Sequence, residues 1–119
     1  MITPVDEETA STLAAVARFN AAFDRHDVDG VMAASTIFEN TGPAPDGERY
    51  AGAAAVRGFW QRFFQSNPRA KFEVEEQFAA GDRCVVRWRY DWADGHVRGI
   101  DVFRVHNGRI AEKLAYVKG

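Results

Sequence analysis

The sequence predicts an α+β domain: three helices followed by an antiparallel meander sheet, with the helices packed on one sheet face. Three observations carry this. Apolar residues recur at helical spacing through the first half of the chain. From Lys71 onward they alternate by two, the period of a half-buried strand. The dipeptides Asp94-Gly95 and Asn107-Gly108 have the form of two-residue hairpin turns, because a type I′ turn asks for positive φ at both central residues.

The elements follow in order. Leu13, Val16, Asn20 and Phe23 recur at spacings of three and four, with Phe19 alongside, so residues 7–25 read as a helix. Residues 24–30 are a polar break. Within it Asp27 can cap a short helix over 28–34 whose apolar positions are Val31 and Met32. Residues 36–40 form a short strand candidate, and 41–50, with two Pro and two Gly, read as a loop. Gly52 opens a third helix. Its stripe is Val56, Phe59, Trp60, Phe63 and Phe64, and Asn67-Pro68 ends it. Four strands are expected at about 71–78, 84–92, 97–105 and 110–117, with Ala80-Gly81-Asp82 as a weaker turn.

Composition narrows the class. The 119 residues suit one domain, 1–119, large enough to bury roughly two thirds of its unfolded surface. A content of 46% hydrophobic and 27% charged residues opposes disorder, and a net charge of −2 opposes a phosphate-binding nucleic-acid partner. No apolar run approaches the ~20 residues of a membrane helix. Residues 1–8 are polar and acidic, unlike a signal peptide, so a cytoplasmic location with no membrane partner is expected. The single cysteine, Cys84, excludes an internal disulfide framework and a cysteine zinc cage, and it reads as a small core residue. His26, His96 and His106 share no face, so no metal is expected, and with no Gly-rich phosphate motif in the chain no cofactor is expected.

The turns imply a register. Centring the first hairpin on Gly81 sets Glu75 against Arg87 and Glu73 against Arg89, and the Asp-Gly hairpin sets Asp91 against Arg98. The same face carries Ile100, Val102, Ala115 and Val117, an apolar centre ringed by ion pairs, which suggests a homodimer interface. The opposite, helix-facing side then holds Phe72, Val74, Glu76, Phe78, Val86, Trp88, Tyr90, Gly99, Asp101, Phe103, Glu112, Leu114 and Tyr116. In that register Asp101 lies between Trp88 and Leu114. Gly99 leaves a notch between Tyr90 and Tyr116.

Asp101 is the sharpest candidate for chemistry. A carboxyl group among apolar side chains is poorly solvated, which disfavours the anion and lets the acid donate a proton near neutral pH. The alternative is a structural acid bonded to backbone or to an arginine. Asn40 could project into the same space and orient a carbonyl or a water, or it could serve the turn that follows it. Glu76 and Glu112 are weaker candidates, expected at the wet rim of the helix layer. The aromatics Phe19, Phe23, Phe38, Phe59, Trp60, Phe63, Trp88, Tyr90, Phe103 and Tyr116 exceed what one small core needs. They suggest the wall of an apolar cavity for a small apolar molecule.

Nearly the whole chain resembles the NTF2-like superfamily, in its SnoaL-like and ketosteroid-isomerase-like bacterial branch. The resemblance rests on Ile100-Asp101-Val102-Phe103-Arg104 followed by Asn107-Gly108-Arg109-Ile110. Asp27-Val28-Asp29-Gly30-Val31-Met32 and the Tyr50-Ala51-Gly52 entry to the third helix add to it. It implies a cone-shaped fold, helices inside a curved sheet, and isomerase, cyclase, hydratase or purely binding roles. Set against the ketosteroid isomerases, Asp101 matches the protonated aspartic acid of the oxyanion hole. The general-base aspartate falls on Asn40 and the oxyanion tyrosine on Phe19, so two of the three positions are replaced. Limonene-epoxide hydrolases also place an asparagine near Asn40, but they need an arginine between two aspartates, a set not found facing inward here. SnoaL-type cyclases use an acidic residue in an apolar pocket, which Asp101 could imitate. Relatives often carry two further residues in the segment 33–37, which bears on the alignment of Phe38 to Asn40. The resemblance leaves open an acid-base enzyme using Asp101 or a non-catalytic binding or dimerisation module.

Overall fold

The computed structural model describes residues 6–32 and 37–118. Helix α1 spans Glu7–Asp24, α2 Val28–Met32 and α3 Ala53–Ser66. The strands are β1 Ile37–Glu39, β2 Arg49–Ala51, β3 Lys71–Ala80, β4 Arg83–Trp92, β5 Gly95–His106 and β6 Arg109–Val117. They form one curved, unclosed sheet in the order β2-β1-β6-β5-β4-β3, with the helices packed against it. The architecture is α+β, as the periodicity predicts. The sheet is mixed, because β1 runs parallel to β6. The chain reverses inside the segment read as a loop, and Arg49–Ala51 returns as β2 against β1. The ends of the expected second helix and first strand, residues 33–36, lie outside the described residues. No helix among the described residues is long and apolar enough to cross a membrane.

Local chemistry sets the helices. Asp6 caps α1 by accepting from Thr9 N–H at 2.7 Å, and Asp27 caps α2 by accepting from Gly30 N–H at 3.0 Å. The buried stripe of α1 runs through Thr9, Thr12, Val16, Phe19, Asn20 and Phe23. Its first turns are bolted to the β3–β4 turn. Thr12 donates to Gly81 O at 2.6 Å, and Gly81 N–H donates to Thr9 Oγ1 at 2.9 Å. That anchor fixes where Phe19, Asn20 and Phe23 lie over the sheet.

The register departs from expectation at three places. The Asn107-Gly108 turn has positive φ at both residues, as its sequence predicts. The Asp94-Gly95 turn does not form. Trp92 pairs with Gly95, so Ala93 and Asp94 make the turn. A Cβ on Gly95 would stand 2.9 Å from the Trp92 ring, so this glycine serves a close side-chain approach. The β4–β5 ladder therefore slides, setting Asp101 against Val86 and Gly99 against Trp88.

Bulges account for the other two. In β3 the register shifts between Val74 and Glu76. An extra residue moves every later side chain to the other face. Glu76 thus points outward to Arg87 at 3.3 Å, and Phe78 is 58% exposed. Of the expected ion pairs only the Glu73–Arg89 alignment is kept. Arg98 instead holds Glu75 with two 2.9 Å bonds, and Arg89 holds Asp91 along its own strand. In β6 the shift falls beside Ala111, opposite Arg104/Val105. Glu112, Leu114 and Tyr116 turn outward, while Lys113, Ala115 and Val117 turn inward. The expected apolar outer patch loses Ala115 and Val117 and gains Leu114 and Tyr116. Asp101 has Ala115, not Leu114, as its β6 neighbour.

Candidate functional site

The concave face of the sheet, α1 and α3 enclose a cavity of about 330 Å³, the size of a small-ligand site. Phe19, Phe23, Phe38, Phe59, Trp60, Phe63, Trp88 and Tyr90 line it, with Asp101 and Asn40. Two expected wall residues stand elsewhere. Phe103 is fully buried behind Phe19, edge to face at 5.5 Å, and belongs to the core. Tyr116 is 56% exposed on the outer face because of the β6 bulge. The notch expected at Gly99 is occupied by the indole of Trp88. A Cβ there would lie 2.6 Å from the Trp88 ring.

At the floor, Asp101 and Lys113 meet. They are diagonal neighbours on the inward face, since Phe103 pairs with Lys113 and Asp101 with Ala115. Lys113 Nζ lies 3.3 Å from Asp101 Oδ1, with both side chains under a tenth exposed. Nζ also lies 4.6 Å from the Phe38 ring centre, 5.2 Å from Trp60 and 6.0 Å from Phe19. The ammonium thus has aromatic faces and one carboxylate where water would otherwise be.

Burial acts on both partners. It raises Asp101 above the usual carboxylate value, against the opposing pull of the Lys113 charge and the Trp88 indole N–H. It lowers Lys113 below the usual lysine value, against the pull of Asp101. The proton affinities of acid and amine are therefore drawn together, which eases proton exchange between them.

Among the described residues, the buried side-chain polar atoms without a hydrogen-bond partner are Asn20 Nδ2, Trp60 Nε1, Trp88 Nε1, Tyr90 Oη and Asp101 Oδ1. All five belong to residues lining this cavity. Asp101 Oδ1 nonetheless has Lys113 Nζ as its ion-pair partner at 3.3 Å. Four of the five atoms can donate. Leaving such groups unpaired costs about 1–3 kcal/mol each, a cost that a buried water or another polar group beside them would offset. Burial also pushes the Tyr90 phenol up to about 12, so it stays a donor across the physiological range.

Asn40 stands at the cavity edge with its Oδ1 accepting from Thr41 N–H at 2.9 Å. Its backbone N–H donates to Glu48 O at 2.9 Å. The side chain therefore serves the turn while bordering the cavity. Glu112 binds Arg49 at 2.9 Å on the outer face, and neither it nor Glu76 lines the cavity. Lys113 and Asn20 are the residues that sequence reasoning misses. Asn20 is visible in the α1 stripe as its one amide. Lys113 has no such signal, because Leu114/Tyr116 and Ala115/Val117 make both phases of β6 apolar.

The comparisons with known proteins agree with this geometry. A family model for the SnoaL-like domain matches residues 16–113. No curated protein is significantly similar in sequence. An NTF2-like protein of unknown function from Mesorhizobium loti is 42% identical, with 98% of each chain covered and a TM-score of 0.86. An LEH-like epoxide hydrolase from M. tuberculosis is 25% identical over 93% of this chain and 85% of its own, with a TM-score of 0.72. A Kribbella flavida protein, provisionally described as a ketosteroid isomerase, shares the fold at 18% identity, over 94% of this chain and 81% of its own, with a TM-score of 0.80. On the family match and the Mesorhizobium relative, the chain belongs to the SnoaL-like family of the NTF2-like superfamily.

Proposed function

We propose that the protein is an acid–base enzyme acting on a small, largely apolar metabolite that carries a carbonyl group. The observation that carries this reading is the buried Asp101–Lys113 pair at the floor of an aromatic cavity. Asp101 holds or returns the proton, and Lys113 balances its charge when it is ionised. The Tyr90 hydroxyl, which has no hydrogen-bond partner, would suit a carbonyl oxygen that gains negative charge during reaction, while the Trp88 indole N–H is directed toward Asp101. Asn40 would steady a polar end of the ligand near the mouth. Family membership supports an enzyme-like role, and the LEH-like relative is an enzyme by its description.

The test is ligand binding followed by turnover. Trp60, Trp88 and Trp92 line the cavity, so their fluorescence reports occupancy. Aromatic and alicyclic ketones should quench it, where their alkanes should not. Asp101→Asn, verified as folded by near-ultraviolet circular dichroism, should keep binding and lose at least about 10²-fold in turnover. Equal turnover in that variant would contradict the reading.

A second reading, a non-catalytic binding module, is favoured by one specific observation. Asn40 and Phe19 stand where the resemblance to ketosteroid isomerases sets a base and a hydrogen-bond donor. Isomerisation of β,γ-unsaturated ketosteroids should accordingly be at least about 10²-fold slower than in a true isomerase, because both contributions are missing. Fast conversion abolished by Asp101→Asn would overturn that expectation.

We also infer that two copies associate through the outer face. Phe78, Ile100 and Tyr116 are exposed there, beside Val85, Val102 and Leu114. Arg87–Glu76 and Arg98–Glu75 flank them. A two-fold interface needs only one self-complementary patch. Val102→Glu should shift sedimentation toward the 13.3 kDa monomer, and a native protein already at that mass in micromolar solution would exclude the dimer.

A further inference from the structure

We propose that Lys113 is a covalent catalyst, its ε-amine forming an imine with an aldehyde or ketone bound in the cavity. This deepens the reading given above and rests on it. Three geometric facts support it. Lys113 Nζ is buried on a side chain that lines a cavity of about 330 Å³, a volume within the range of small-ligand sites. A carboxyl oxygen stands 3.3 Å from the amine, close enough to take its proton and give it back. The rings of Phe38 and Trp60 lie against the same nitrogen at 4.6 and 5.2 Å, so a cation there is held in either form.

The step balances without another reactant. Lys113 ammonium passes one proton to the Asp101 carboxylate, leaving a neutral amine and a neutral acid. The amine lone pair adds to the carbonyl carbon, the C=O π pair moves to oxygen, and a proton shifts from nitrogen to that oxygen, giving a carbinolamine. Asp101 then protonates the hydroxyl, the C–O bond breaks, and water leaves as nitrogen forms the C=N bond. The product is an iminium ion paired with the Asp101 carboxylate, in place of the ammonium ion and the same carboxylate. No net charge is created in the cavity, so the aromatic surroundings that disfavour isolated charge do not oppose the overall exchange. Burial, which already moves Lys113 toward its neutral form, supplies the nucleophile.

The chain makes the test selective, since its lysines are Lys71, Lys113 and Lys118. Full-length protein is incubated with 2-naphthaldehyde and cyanoborohydride near pH 7, and the reduced secondary amine is located by peptide mapping. Lys113 should carry at least about ten times the label of Lys71 or Lys118. Lys113→Arg, which keeps the charge, should remove that label. In parallel, 2-naphthalenemethanol, which cannot form an imine, is titrated by tryptophan fluorescence. If the alcohol binds while Lys113 stays unlabelled, the imine is excluded and the cavity reading stands. If neither probe engages the cavity, both are overturned.

Discussion

The two faces of the sheet carry the same kinds of charged residue under opposite physical conditions. On the outer face Arg98–Glu75, Arg87–Glu76 and Arg49–Glu112 lie in or near water. Pairs of that kind are screened and add little stability. On the inner face Asp101 and Lys113 are 3% and 7% exposed at the side chain. There desolvation dominates, and each group is pushed toward its neutral form. A salt bridge by distance is thus a screened surface pair on one face and, on the other, a desolvated pair in which each group is driven toward its neutral form. What separates them is a single extra residue, Ala111, which turns Lys113 inward.

The largest effect should come from unpairing the inner charges. Asp101→Asn or Lys113→Met alone leaves its partner buried without compensation and should cost about 3–5 kcal/mol in denaturant unfolding. Replacing both, as Asp101→Leu with Lys113→Met, should return stability to wild type or raise it by about 1–4 kcal/mol. Single variants costing no more than an outer pair would erase the contrast between the faces.

The same variants sharpen the pH dependence. Folding raises Asp101 above 3.8, so the folded state keeps this proton to higher pH than the unfolded chain. The stability tied to it therefore falls as pH climbs from about 3.8 through the folded value. Lys113 is lowered from 10.5, so the unfolded chain holds its proton longer, and stability rises with pH between the folded value and 10.5. Stability curves against pH should show both slopes in wild type and neither contribution in the double variant.

A smaller effect is expected from Gly99→Val. Its Cβ would press on the Trp88 ring at 2.6 Å and on Tyr116 O at 2.5 Å. Overpacking of this kind costs about 1–3 kcal/mol, and displacement of Trp88 should change cavity fluorescence. Unchanged stability and spectrum would show that Trp88 does not fill that notch. The smallest effect belongs to the outer face. Glu75→Gln should change stability by less than about 1 kcal/mol, and less still in high salt.

Fold and site were not equally legible in the sequence. The helices were readable because Phe19, Asn20 and Phe23 on α1, and Phe59, Trp60 and Phe63 on α3, keep helical spacing without interruption. Asn107-Gly108 was readable because its two residues are chosen for positive φ. Asp94-Gly95 was not, since Gly95 answers to the Trp92 ring instead. Asp101 could be placed inward because no bulge interrupts β5 itself on its β4 side. Lys113 could not, because a bulge leaves no mark where both strand phases are apolar. The partner of the candidate acid, and with it the chemistry, was therefore the least visible part of the site.

The most direct measurement is a carbon-detected NMR titration of the Asp101 carboxyl in the wild-type protein, with tryptophan fluorescence monitoring the fold. The inner-face account predicts that Asp101 titrates clearly above its ordinary 3.8 while the protein remains folded. A carboxyl titrating at or below 3.8 would mean a permanently ionised structural pair, and would contradict a proton-exchanging centre at the floor of the cavity.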